Sequence, residues 1–169
     1  LRGLLAAPAL VCGKVEREAN ARGFEAPVES VRLGLGSVGV RGVRVTSPGD
    51  DFELKLDAVS VGVFSGDVKA MGGSLRGKGD PAPLLRKLRG KGEGGASMDE
   101  GGRDVELEGL FVRWERDTAS AEVFGVRASR SGAELSFGAD LAHLSDGKHQ
   151  LDARGVAVGM ATKEGHRQL

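Results

Sequence analysis

Three histidines, one cysteine and two pairs of adjacent carboxylates are the residues of this chain best suited by type to catalysis or metal binding. His143, His149 and His166 lack the spacing of a ligand set and have no Cys or carboxylate partner placed on a common face, so they predict no metal centre. His143 and His149 flank an expected turn, where solvated histidines are ordinary. Cys12 sits alone in an apolar stretch and reads as a small hydrophobe rather than a nucleophile; a chain with one cysteine forms no internal disulfide. Asp50-Asp51 and Asp99-Glu100 fall in turn or linker context and read as solvated carboxylates, not as an acid and its base. Serines are plentiful, but G-x-S-x-G is absent and no Ser, His and acid form a set. Abundant glycine invites a phosphate reading. Yet no G-x-G-x-x-G follows a strand and opens a helix, no G-x-x-x-x-G-K-[ST] occurs, and "GKGEGG" reads as a linker. The expectation is no catalytic, cofactor-binding or metal-binding residue in this segment, and no reaction catalysed by it alone.

The bulk composition turns attention to architecture. Twenty-four Lys and Arg balance twenty-four Asp and Glu, so no net field draws the chain to nucleic acid, and none is expected as a partner. The 28 glycines have no Gly-X-Y period and alternate with valine-rich stretches, which excludes collagen and argues against disorder. At 169 residues the chain holds one domain or two small halves.

One pattern recurs along it: apolar, x, apolar, x, Gly, apolar, x, apolar. Val38-Val40-Gly42-Val43-Val45 is the first example, and Val105-Leu107-Gly109-Leu110-Val112 the second. Leu151-Ala153-Gly155-Val156-Val158 and Ala121-Val123-Gly125-Val126-Ala128 also match. Leu54-Leu56-Ala58-Val59-Val61 has Ala for Gly, and the stretches from Val68 and Leu135 are weaker copies. Turn signals such as "SPGDD", "SGD", "RDTA", "SRSG" and "SDG" lie between them. One strand per copy, joined by tight turns, predicts an all-β fold: an antiparallel meander of about eight strands in sequence order.

The parity change at the glycine is the mark of a β-bulge. One extra residue returns Val43 and Val45 to the face of Val38 and Val40, while Arg41, Arg44, Lys55, Asp57, Glu106, Glu108, Asp152 and Arg154 go to the other. Bulges are expected near Gly42, Ala58, Gly109, Gly125 and Gly155. Set at matched heights, they should curl the sheet into a trough. Corners of a barrel or sandwich are the alternative use of such glycines.

Two stretches read as helix. Leu10, Val11, Val15 and Ala19 recur at helical spacing, with Gly23 as the stop; Asp80 caps a short second helix over Pro81 to Leu88. The organisation is then 1–23 as membrane-proximal segment and helix, 24–78 as first β half, 79–103 as short helix and glycine-rich linker, 104–160 as second β half, and 161–169 as tail. "GLLAAPALVCG" (3–13) is too short to span a bilayer. It is expected to be either the end of a longer signal or anchor or a buried first helical turn. The basic run Arg86-Lys87, Arg89 and Lys91 reads as a soluble linker flank, with contact to acidic headgroups as the functional alternative. Trp114 is expected on the apolar face as a core or rim anchor.

Over residues 10–90 the order of these features resembles bacterial AsmA-like domains. The charged helix ending "ARGFE", "VESVRLGLGSVGVRGVRVTSPG", "FELKLDAVSVGV" and "SGDVKAMGGSLRGKGDPAPLLRKL" carry the likeness. Residues 104–160 continue the style, and Gly72-Gly73 departs from it. The resemblance implies an envelope protein of a Gram-negative bacterium, anchored in the inner membrane through a segment before or at the N-terminus. Its β-groove would lie on the periplasmic face and serve phospholipid traffic or outer-membrane upkeep. A similar segment can stand as the membrane-proximal stalk of a peptidoglycan glycosyltransferase, whose acidic catalytic motif is not in this chain; a generic secreted β-sandwich is the third reading. In the groove reading, Val40, Val43, Leu54, Val59, Leu107, Leu110, Val123 and Val156 line the apolar trough, and phospholipid is the partner.

Overall fold

The structure, a computed structural model, describes residues 17, 19–21, 23–47, 49, 51–84, 104–132 and 134–161. Among these the chain is all-β, with two short helical pieces. Its nine strands are β1 (Val28–Leu33), β2 (Ser37–Thr46), β3 (Phe52–Gly62), β4 (Val68–Met71), β5 (Ser74–Lys78), β6 (Val105–Arg116), β7 (Ala119–Ser131), β8 (Glu134–Ser145) and β9 (Gln150–Ala161). All belong to one sheet, in the order β1-β2-β3-β4-β6-β7-β8-β9, with β5 also lying between β3 and β6.

The pairing departs from the expected antiparallel meander at one place. β4 and β5 pair with β6 in parallel, while the other neighbours are antiparallel. The count of nine, against about eight expected, has the same origin, because β4 and β5 are halves of one strand interrupted at Gly72 and Gly73. The register runs unbroken across the gap: Ala58 pairs with Met71 and Lys55 with Ser74, then Met71 with Glu108 and Ser74 with Phe111. Gly73 has φ 117°, and a β-carbon there would fall 2.9 Å from the Lys55 carbonyl carbon, so only glycine lets the backbones approach this closely. A parallel neighbour requires the chain to return to the strand's starting end. The connection between β5 and β6, residues 79–104, is the one long connection of the sheet, where the others are short. The two β halves are thus joined side by side through a parallel seam.

The glycine slips are bulges, and they are matched. Val40 pairs with Val59 and Val43 with Leu56, so both β2 and β3 insert a residue at the same height and their register is undisturbed. The residue opposite Gly42 is Asp57. Ala58, expected at the bulge, pairs with Arg41 on the polar face instead. Following the register outward, the line across the sheet reads Glu29, Gly42, Asp57, Gly72 and Gly109, then Gly125, Asp140 and Gly155. Between β6 and β7 it steps by one row, where the register shifts at Leu107/Leu110 and Leu110/Val112. Gly42, Gly125 and Gly155 have φ of 62°, 62° and 61°, left-handed values that side chains resist.

Burial follows this line. Val40, Val43, Leu110 and Ala139, next to it on the apolar face, are buried, Leu110 to 5 % exposure. Leu33, Val105, Phe137 and Leu144, farther out on the same face, are exposed. A single layer buries its central rows when it bends about the bulges with that face inside.

One end of the apolar face is plugged. The first helix stops at Gly23 as expected: Gly23 N–H donates to the Asn20 carbonyl at 3.0 Å and Phe24 N–H to the Ala19 carbonyl at 2.9 Å, a Schellman motif with Gly23 at φ 77°. That turn delivers Phe24, buried, to within 6.2 Å of the Phe52 ring. Ala82–Leu84 is helical, and Ala82 N–H donates to Asp80 Oδ1 at 3.0 Å, the expected cap. Leu84 is buried and shares a 250 Å³ cavity with Phe52 and Trp114. Trp114 lies against Gly77 and donates from Nε1 to the Gly79 carbonyl at 2.8 Å, the anchor position expected of it. The apolar N-terminal stretch, Cys12, Asp50, the basic run, the linker with Asp99-Glu100, and His166 lie outside the described residues.

Candidate functional site

The register places all eight residues expected to line the groove on one face. Paired residues in a sheet share a face. One transverse row runs Val31, Val40, Val59, Ala70, Leu107, Ala128, Phe137 and Val158, each the partner of the next. A second contains Val28, Val43, Leu56, Leu110, Val126, Ala139 and Val156. A third runs Val45, Leu54, Leu75, Val112, Val123, Ala142 and Ala153. Val40, Val59 and Leu107 therefore share the first row, Val43, Leu110 and Val156 the second, and Leu54 and Val123 the third. Only Val40 and Val59 are direct register partners.

Over most of its area this face has no second layer among the described residues. The Phe24, Leu84 and Trp114 plug covers the end near Phe52. Toward β9 the face opens, with Leu151 61 % and Val158 52 % exposed and Val156 at the rim. Phe137, Val158 and Leu151 lie exposed on this same face and were not among the eight residues expected there. The same alternation that gave Val156 points to them, once the bulge is counted through.

The opposite face is polar and internally paired. Lys69 Nζ meets Glu106 Oε2 at 2.9 Å and Glu108 Oε2 at 3.6 Å, and Arg44 Nε meets Glu53 Oε1 at 3.3 Å. Arg113 Nη2 bonds Glu115 Oε1 at 2.7 Å, and Arg127 Nη2 bonds Asp140 Oδ1 at 2.7 Å. The hydrogen bond to Glu106 holds the Lys69 ammonium above its ordinary pKa, and the same bond holds Glu106 below the usual carboxylate value. These pairs are solvated, so they contribute little to stability and serve mainly to keep this face in water. A cavity of about 700 Å³ between Glu53, Arg76, Lys78, Arg113 and Glu115 belongs to this face and touches none of the eight apolar residues.

Two aromatics break the polarity of that face. Phe111 and Phe124 have ring centroids 4.8 Å apart, and the His143 ring stands edge-on to Phe124 at 5.9 Å. The expectation that no carboxylate shares a face with these histidines fails here: His143 Nδ1 is 2.5 Å from Asp152 Oδ1, directly across the β8–β9 pair, a neighbour set by strand register and not by sequence spacing. The other described histidine, His149, closes the β8–β9 turn against Asp146 at 3.1 Å. Phe124 falls on the polar face by simple alternation from Ala121 and Val123, ahead of the inserted Gly125.

No protein-family model and no curated protein matches the chain.

Proposed function

We propose that this segment is a non-catalytic AsmA-like β-groove domain of a bacterial envelope protein. Its apolar sheet face binds or conducts phospholipid acyl chains on the periplasmic side of the inner membrane, in support of outer-membrane upkeep. The observation that carries the reading is the set of continuous apolar rows crossing the whole sheet, plugged at one end by Phe24 and Leu84 and uncovered toward β9. Strands lie about 4.8 Å apart, so a row across eight strand positions offers a floor of about 34 Å. Transfer of methylenes from water to such a floor contributes about 0.8 kcal/mol each, which is ample to hold an acyl chain. The polar face, with its charges paired among themselves, remains in water.

Mass spectrometry of lipid extracted from the purified 169-residue chain tests this. Wild type should carry phospholipid. Val43→Asp and Leu110→Asp should abolish it, but both sites are buried and their loss also costs stability. Leu151→Asp and Val158→Asp, at the open end, should lower lipid content with strand content unchanged by circular dichroism. A lipid-free wild-type monomer with these side chains sealed in a closed core would refute the groove. The membrane-proximal stalk of a peptidoglycan glycosyltransferase would then be the reading to pursue.

A further inference from the structure

At the end of the sheet away from the Phe24 plug, two turns carry large apolar side chains with nothing among the described residues packed over them. The β1–β2 turn holds Leu35, fully exposed, and the β3–β4 turn holds Val63 and Phe64, the latter 93 % exposed. The tips form one unit. Val63 N–H donates to the Gly36 carbonyl at 2.9 Å, and a β-carbon on Gly36 would lie 3.6 Å from Phe64 Cε2, which places that ring beside the neighbouring turn. Each tip is also closed internally: Gly34 N–H donates to the Ser37 carbonyl at 2.8 Å, Gly66 N–H to the Gly62 carbonyl at 2.9 Å, and Asp67 N–H to Ser65 Oγ at 3.3 Å.

Glycine and serine at these positions set the turn geometry. Leu35, Val63 and Phe64 have no conformational task there, and each exposes apolar surface whose hydration is unfavourable. Directly behind them, Leu33, Val38, Val61 and Val68 form the outermost row of the apolar face, so the tips open onto it.

We propose that the paired tips insert into a phospholipid bilayer, with Leu35, Val63 and Phe64 entering the boundary between headgroups and acyl chains. Three side chains on a projecting end are far fewer than the roughly 20–30 residues per side of a stable protein interface, whereas a bilayer accepts a small protruding apolar wedge. Ser37 and Ser65 supply hydroxyls at headgroup depth. The nearby charges are mixed in sign: Lys69 is engaged by Glu106 and Glu108, and Asp67 Oδ1 accepts the Asp104 N–H at 3.3 Å. Insertion therefore rests on apolar burial and needs no anionic lipid. It stands whether or not the apolar face carries lipid, because its evidence is the exposure and coupling of the tips.

The test is flotation of the full chain with phosphatidylcholine vesicles. Wild type should float with them. Removing each large side chain should weaken partitioning about tenfold or more, so Leu35→Ser with Phe64→Ser should all but abolish flotation while circular dichroism stays unchanged. Phe64→Trp keeps an apolar ring at the tip. The emission of the introduced indole should shift to the blue on vesicles and be quenched by brominated acyl chains, while that of Trp114, held at the far end, is not. Wild type that fails to float, a double variant that floats like wild type, or a Phe64→Trp variant whose emission bromolipid leaves untouched would each overturn the proposal. So would binding that requires phosphatidylglycerol and disappears in salt. A wild-type dimer dissociated by the double variant without vesicle binding would assign the tips to a second copy of the chain instead.

Discussion

Replacing glycines of the bulge line by alanine separates the two reasons glycine is there. Gly155 has φ 61° and nothing within 4 Å of where a β-carbon would sit, so Gly155→Ala meets only the left-handed backbone cost, about 1–2 kcal/mol. Gly125 has the same backbone preference, with φ 62°, but a β-carbon there would fall 2.6 Å from Asp140 Cγ and closer still to Oδ2. The carboxylate must move, and it is held by Arg127 at 2.7 Å. Breaking an exposed pair and crowding its neighbours adds about 1 kcal/mol, so Gly125→Ala should cost about 2–3 kcal/mol. Gly159 lies in the same strand as Gly155, has ordinary φ and equally open surroundings, so alanine there should stabilise by about 0.5 kcal/mol. Urea unfolding of the full chain, followed by circular dichroism, measures all three. Adding Asp140→Ala should return Gly125→Ala to the cost of Gly155→Ala. Two results would refute the reasoning: Gly155→Ala no worse than Gly159→Ala, which removes the backbone argument, or a Gly125→Ala defect that survives Asp140→Ala, which removes the contact.

Gly73→Ala should be the most damaging of the glycine substitutions, about 3 kcal/mol or more in the same assay, because φ is 117° and the clash is with Lys55 and Leu56 backbone, which has no rotamer to retreat to. Gly77→Ala should displace Trp114, whose Cη2 would lie 2.5 Å from the new β-carbon, seen as a red shift of tryptophan emission and about 2 kcal/mol of lost stability. Asp146 accepts N–H bonds from His149 at 2.7 Å and Lys148 at 2.9 Å, which hold its pKa below the ordinary 3.8. Its stabilisation of the β8–β9 turn is therefore present above that value and lost as pH falls through the lowered one. Protection of the Lys148 and His149 amides, relative to their unstructured exchange rates, should fall in wild type only as pH drops below the ordinary carboxylate value, and should be low at all pH in Asp146→Ala. Lys69→Met, by contrast, should leave the urea midpoint almost unmoved, since both its partners are solvated.

The bulges were legible in the sequence because they are local. A parity change around Gly42, Gly109, Gly125 or Gly155 records both the inserted residue and the left-handed backbone it takes, and the face of every neighbouring residue follows by counting. The helix stop at Gly23 and the cap at Asp80 are local in the same sense. The eight residues expected to line the groove share one face for this reason alone. Asp57 and Asp140 escaped notice because an aspartate at a bulge of ordinary φ leaves no conformational mark, and its place is defined only by the glycine across from it. The parallel seam was beyond alternation altogether. A strand reads the same whichever direction its neighbour runs, and the return of the chain through residues 79–104, together with the close approach at Gly73, decided that β6 lies parallel to β4 and β5. Likewise Leu35 and Phe64, far apart in sequence and ordinary within their own turns, became one exposed apolar tip only when the pairing of β2 with β3 brought the two turns together.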